Sequence, residues 1–334
     1  MIKEFFGKEA RGVCGNEKEP NTYLYELKEN GLIIHRVFID TGEGEEKNIL
    51  LISDIHLSNW NLKDFEEKNP IILETIDKRR STFRREDALA NIERIMNYAH
   101  LFDKTIVAGD TIDYLTWGAV DYIKRYIYDK CPDALVLLGN HDTRRAMGHS
   151  MVDHSTLESR EEILKTVIKT DLHYHSEMIG DRTLIIGLNN GEAKYAPCQY
   201  EKLLCDMEMA RKNSLSVLIF QHEPICTYNE NEKEVTPIYI SSPGSYSTGK
   251  NFCDNPDRAG SSVSDEDTMR VYRLITENAD IVKGVFCGHW HNEAYTEIVG
   301  SYEENGAKIQ KTIPQYVTDA VAYDNGHMMI ITVR

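Results

Sequence analysis

The chain has 334 residues, 41% hydrophobic and 28% charged, with a formal net charge of -16. That suits one large globular domain carrying inserts, and the acidic balance argues against holding extended nucleic acid on a broad basic face. No apolar run reaches the roughly 18 residues that would suggest a membrane span, and the seven cysteines form no Cys-x-x-Cys, which reads as reduced thiols.

The N-terminus, Met1 to Glu9, lacks the apolar stretch of a secretion signal, so the expected location is the cytoplasm. Two β-type runs, Thr22–Leu27 and Leu32–Ile39, flank Asn30-Gly31, a pair that accepts the positive φ of a tight hairpin turn. Residues 1–47 therefore read as a hairpin extension packed on a main domain of 48–334.

Ile49 to Ser53 is a continuous apolar strand that ends at Asp54-Ile55-His56. The charged stretch 58–85 reads as an insert or lid. Glu86 to Phe102 carries apolar residues at helical spacing. Thr105 to Ala108 is a second strand, ending at Gly109-Asp110-Thr111-Ile112-Asp113, and a helix is expected over Gly118 to Tyr128. Ala134 to Leu138 is a third strand, ending at Gly139-Asn140-His141-Asp142. This strand–helix alternation implies a parallel sheet with right-handed crossovers.

A second insert covers 143–182, with a helix near Glu161 to Lys169. Further strands are expected at Thr183 to Leu188, at Ser216 to Phe220 before His222, and at Ile281 to Cys287 before Gly288-His289-Trp290-His291. Helices are expected over Gln199 to Lys212 and Asp265 to Asn278, the latter capped by Ser264. Residues 227–264 are polar and rich in Gly, Ser and Pro, a third insert. Short strands close the chain at Ala294 to Val299, Lys308 to Ile313 and Met328 to Val333.

Carboxylates, imidazoles and one carboxamide thus stand just beyond five apolar strands. In a parallel sheet the carboxyl ends share one edge, so residues far apart in the chain can meet. Asp-x-His and His-x-His place alternate side chains on one side of an extended backbone. This mixture of oxygen and imidazole donors suits Mn, Fe, Zn or Co better than Ca or a thiolate zinc site. Each block alone is an ordinary loop; the ordered set is not. His173-Tyr174-His175 reads as an exposed strand edge, and Cys287 as core.

Taken in order, Asp54-x-His56, Gly109-Asp110-x-x-Asp113, Gly139-Asn140-His141-Asp142, His222 and Gly288-His289-x-His291 resemble the signature of the calcineurin-like metallophosphoesterase superfamily, over roughly residues 48–292. The resemblance implies a four-layer αββα sandwich, two mixed β-sheets flanked by helices, with a dinuclear site at the strands' C-terminal edge. It implies two divalent or trivalent ions, Mn, Fe or Zn. Asp54, His56 and His291 would hold one, Asn140, His222 and His289 the other, and Asp110 would bridge them. Asp113 would stand behind the ligands. His141 would serve as proton donor or oxyanion stabiliser, its ring oriented by Asp142.

The implied chemistry is in-line attack of a metal-bridging hydroxide on a phosphomonoester or small phosphodiester. Arg144 and Arg145 are tentative clamps for the substrate phosphate. Alternatives are a nuclease or cyclic-nucleotide phosphodiesterase on the same scaffold, and a non-catalytic protein-binding scaffold. A small phosphorylated substrate is the expected partner, with no extended nucleic acid and no membrane; the oligomeric state is left open.

Overall fold

The computed structural model describes residues 13–14, 22–27, 31–67, 73–74, 76–78, 85–144, 156–191, 194–225, 228–229, 234–235, 266–323 and 325–334. Arg145, Ser264 and most of 227–264 lie outside them.

Two sheets carry the fold. The first has seven strands in the order β1 (Val13–Cys14), β2 (Thr22–Leu27), β3 (Leu32–Ile39), β15 (His327–Val333), β4 (Lys47–Ile52), β5 (Lys104–Ala108) and β6 (Leu135–Leu137). The second has six: β13 (Ala294–Glu304), β14 (Ala307–Val317), β12 (Val282–Cys287), β9 (Ser216–Phe220), β8 (Thr183–Leu188) and β7 (Tyr174–Ile179). Tyr228–Asn229 (β10) and Glu234–Val235 (β11) pair separately. Both sheets are mixed: β4, β5 and β6 run parallel, as do β8, β9, β12 and β14, while β15 is antiparallel to β4 and β13 to β14.

The apolar runs look continuous because both faces of each central strand are covered. Alternate residues divide between two cores. Ile49, Leu51, Ile106 and Ala108 face the other sheet and meet Leu218, Phe220 and Phe286. Leu50, Ile52 and Val107 face outward onto Ile92, Ile95 and Met96 of the helix Arg85–Met96 and Ala119 and Ile123 of the helix Trp117–Ile123. On the far side, Leu184, Ile186, Val217 and Ile219 meet Leu203 and Met207 of the helix Pro197–Lys212 and Val271 and Ile275 of the helix Glu266–Thr276. The layers run helix, sheet, sheet, helix, as expected.

The β2–β3 hairpin packs on the rest of the chain through β3, which pairs in parallel with β15 and so continues the first sheet. Several boundaries differ from the sequence reading. The helix expected at Glu161 begins at Leu157, because the Thr156 hydroxyl accepts from the Ser159 N–H and caps it. The strands expected at Ala294 and Lys308 are a long hairpin, paired from Ala294↔Val317 to Glu304↔Ala307 around Asn305-Gly306. Those two turn residues have φ of 51° and 78°, the geometry already inferred for Asn30-Gly31. Beyond Gly300 the hairpin's polar residues are largely exposed, which hid the alternation.

What positions the site is register. Val107 pairs with Ile52, Ala108 with Leu137, Phe220 with Gly187, and Phe286 with Phe220. Neighbouring parallel strands therefore stop together, and the loops that follow share one edge.

Candidate metal centre

Backbone bonds continue past the ends of the strands and lock these loops together. The Asp54 N–H donates to Gly109 O at 3.1 Å, His56 N–H to Asp110 O at 2.9 Å, and Gly288 N–H to His222 O at 3.0 Å. The two sheets are stitched at the same edge: His289 N–H donates to Asp54 Oδ2 at 2.7 Å, and His222 Nδ1 lies 2.8 Å from Ala108 O.

The cost is backbone strain. Asp54, His56, Asp110, His289 and His291 have φ of 54°, 50°, 48°, 75° and 51°. Such residues each cost about 1–3 kcal/mol and persist only where the surroundings over-determine them. Among the described residues other than glycine, only Ser214 and Asn305 share that region. Strain is thus concentrated on the residues picked out by the strand-end pattern.

The glycines of the blocks serve close approach. A Cβ on Gly139 would lie 2.9 Å from the Asp110 carboxyl carbon and closer still to the Asp110 backbone nitrogen. One on Gly288 would run into the Ser53 hydroxyl and lie 2.5 Å from Asp54 Oδ2. Each loop therefore rests directly against the carboxylate of its neighbour.

The side chains converge in two groups that share one member. Ligand-type atoms of Asp54, His56, Asp110 and His291 lie within 4.8 Å of one another, as do those of Asp110, His222 and His289. The shared oxygen is Asp110 Oδ2, 3.8 Å from His56 Nε2 and 3.3 Å from His222 Nε2. Asp110 Oδ1 accepts from the His141 N–H at 2.8 Å, which fixes the carboxylate's rotation. His291 Nε2 lies 3.1 Å from Asp54 Oδ1 and 2.9 Å from His56 Nε2.

The chemistry of the donor set fits cations. His222 donates its Nδ1 proton to Ala108 O, so in the neutral ring Nε2 is a lone pair. That lone pair faces Asp110 Oδ2, His289 Nδ1 at 3.2 Å and Asn140 Oδ1 at 3.2 Å. With His222 neutral, its Nε2 converges with Asp110 Oδ2 and Asn140 Oδ1 as acceptors, and His289 Nδ1 joins them in the tautomer protonated on Nε2. Rotated by 180°, the Asn140 amide would instead donate into the group and accept from Arg144; a bound cation selects the first orientation.

The titration of the site reflects carboxylates and imidazoles crowded together out of water. Burial alone would raise the Asp54 and Asp110 carboxyls, yet neighbouring histidines hold both well below the usual carboxylate range. Burial would lower His222, but the charges of Asp110 and Asp54 push it up to about 10. His289, buried and beside His222, is driven down to about 3.

All seven expected ligands thus gather at this edge. Arg144 is beside them, its Nη1 3.0 Å from His141 Nε2. One expected role is corrected. Asp142 does not orient His141: its Oδ1 accepts from the Ile112 N–H at 3.0 Å and its Oδ2 from the Gly139 N–H at 2.6 Å, so it shapes the loop. Its buried carboxyl, close to Asp110, is pushed up to about 7. The group on the His141 ring is Asp113, whose Oδ1 is 2.8 Å from Nδ1 and 3.5 Å from His56 Nδ1. Asp113 thus stands behind both imidazoles.

Sequence reasoning missed two contributors. Asn190, fully buried, accepts the His222 and Glu223 N–H groups on Oδ1 at 3.1 and 3.0 Å and so fixes the His222 loop. Its signal was present, since it follows the apolar run Thr183–Leu188 at the same edge. Tyr323, whose hydroxyl lies 3.1 Å from His291 Nδ1, sits in a loop with no motif.

Comparison with solved structures gives loose likenesses. A Staphylococcus aureus protein provisionally named a 5'-nucleotidase, in complex with alpha-ketoglutarate, matches at 12% identity and TM-score 0.41, over 86% of this chain and 51% of its own. A purple acid phosphatase from yellow lupin (Lupinus luteus) seeds matches at 11% and 0.45, over 90% and 46%. A dimetal phosphatase from Danio rerio matches at 12% and 0.38, over 82% and 87%. The chain spans about half the length of the first two, and nothing about its substrate follows from these likenesses. No curated protein matches. A family model does match, that of the calcineurin-like phosphoesterases, over residues 47–293, the stretch that holds every residue of the two clusters. The chain belongs to the calcineurin-like phosphoesterase family.

Proposed function

We propose that the chain hydrolyses a phosphomonoester or small phosphodiester at a centre of two Mn, Fe or Zn ions. The carrying observation is Asp110, whose Oδ2 belongs to both ligand clusters; two cations side by side need a shared anion. Asp54, His56 and His291 would complete one ligand set, and Asn140, His222 and His289 the other. When bound, such a pair of ions supplies Lewis acidity and an acidified water.

The chain's own residues do the rest. His141 stands at the edge of the cluster, its Nε2 4.0 Å from Asp110 Oδ2, within reach of a leaving oxygen. Asp113 accepts its Nδ1 proton, so Nε2 is the atom that exchanges a proton with the substrate. Arg144 donates to that Nε2 now; with substrate present its fork would turn to the phosphoryl oxygens, where a guanidinium binds two oxygens at once. Arg145, the other expected clamp, lies outside the described residues.

The test is a panel of aryl phosphomonoesters and bis-aryl phosphodiesters, assayed on metal-stripped protein before and after adding Mn, Fe or Zn. Metal-restored turnover is expected, and the better class names the substrate type. A bias toward diesters would favour the nuclease or cyclic-nucleotide alternative. No hydrolysis with any ion would leave only the protein-binding scaffold.

A further inference from the structure

We infer that Tyr323 is a positioning residue for His291 and selectively governs the affinity of the ion held by Asp54, His56 and His291. This rests on the dinuclear reading above, and it concerns a residue beyond the family match, which ends at 293.

A histidine that binds an ion through one ring nitrogen needs a partner on the other, which fixes both tautomer and pose. Three imidazoles here direct Nε2 into the centre. Behind His222 stands the Ala108 carbonyl, and behind His56 the Asp113 carboxylate. Behind His291 stands the Tyr323 hydroxyl, 3.1 Å from Nδ1. The rings meet at a tilt of 59° with centroids 5.1 Å apart, so the contact runs through the oxygen rather than by stacking. With Nε2 aimed at Asp54 and His56, Nδ1 carries the proton and donates it to the phenol oxygen. His291 is the most exposed of the imidazoles that point Nε2 inward, at 19% against 0% for His56 and His222, so packing holds it least.

The loop that carries Tyr323 is built into the same edge. Val321 N–H donates to Ser53 O at 3.1 Å and Ala322 N–H to Asp54 O at 3.2 Å. Asn91, buried in the helix Arg85–Met96, donates from Nδ2 to Val321 O at 2.8 Å. Arg94 donates to Asn325 O at 2.8 Å on the loop's other side. The phenol is thus held by backbone bonds to the block that supplies Asp54.

The experiment is Mn(II) titration of full-length wild type and Tyr323→Phe against a metal-buffering chelator, with bound metal counted directly and coupled ion pairs read by electron paramagnetic resonance. Wild type should bind two ions and show the coupled signal. Tyr323→Phe should weaken one ion by about 10–100-fold, leave the other unchanged, and show an uncoupled signal at intermediate Mn(II). Its metal-free unfolding midpoint should match wild type. Two unchanged affinities overturn the inference, as does equal weakening of both with a lowered metal-free midpoint. Wild type binding fewer than two ions overturns the dinuclear reading instead. Should Tyr323→Phe not fold, Asn91→Ala loosens the loop without touching the phenol; the same selective weakening is expected, and unchanged affinities overturn the proposal.

Discussion

Asp113 offers the sharpest test of how the proton is managed. Its carboxylate accepts the His141 Nδ1 proton at 2.8 Å and is fully buried. Burial would raise its pKa, but His141 and His56 hold it well below the usual carboxylate range, so it is an anion at neutral pH. A hydrogen bond to a charged group contributes about 1.5–3 kcal/mol, a neutral one about 0.5–1.5. Asp113→Asn keeps an acceptor and loses the charge, a difference of about 1–1.5 kcal/mol, or about 5–10-fold in kcat. Asp113→Ala loses the whole bond, for about 10–150-fold. The assay is kcat at saturating Mn(II) across aryl phosphates whose phenols span a wide pKa range. Good leaving groups need no proton, so the loss should shrink toward nothing for them and reach these values for poor ones. Asp142→Asn should show no such dependence, because its carboxylate serves the Gly139 and Ile112 N–H groups. A uniform loss in the Asp113 variants, or a leaving-group-dependent loss in Asp142→Asn, would refute the reasoning.

Gly139→Ala should fold yet lose metal: its methyl would press on the Asp110 backbone and carboxyl carbon, an overpacking worth about 1–3 kcal/mol, and wild-type metal content in a folded variant would contradict it. Phe286 stacks between Phe220 and Tyr316 at 5.2 and 5.3 Å in the inter-sheet core; Phe286→Ala should cost about 3–5 kcal/mol in urea unfolding, and a loss under 1 kcal/mol would argue against tight packing there. Glu43 accepts from the Asp181 and Arg182 N–H groups and the Thr183 hydroxyl, tying the β3–β4 loop to the β7–β8 turn. Burial opposes ionisation, but those donors prevail and lower its pKa below 4.5. A lowered folded pKa gives stability that is present above the unfolded value and lost as pH falls through the folded one. The stability gap between wild type and Glu43→Gln should therefore be full at neutral pH and close below about pH 4.5; a gap that stays constant with pH would contradict this.

The candidate ligands stood out in the sequence because buried parallel strands leave a sharp mark. Ile49–Ile52 and Val285–Cys287 are apolar on both faces, so the first polar residues beyond them stand out as loop chemistry at a shared edge. The roles of Asp113 and Asp142 were not legible. Asp142 is next to His141 in the chain and Asp113 lies 28 positions away, yet the fold brings Asp113 to the ring and turns Asp142 back onto Gly139. Asn190 was overlooked because its work is done on backbone N–H groups, which carry no residue code. Tyr323 sits in a loop placed by Asn91 and the Ser53–Asp54 backbone, contacts that span 230 positions or more in the chain. Nor could pattern alone show that five of the candidate ligands would be held at positive φ.

Anomalous diffraction from crystals grown with Mn(II) tests the shared carboxylate most directly. The account predicts two peaks about 3.5–4 Å apart, one beside Asp54, His56 and His291, the other beside Asn140, His222 and His289, with Asp110 Oδ2 bonded to both. A single peak, or two peaks with no Asp110 atom in common, would contradict it.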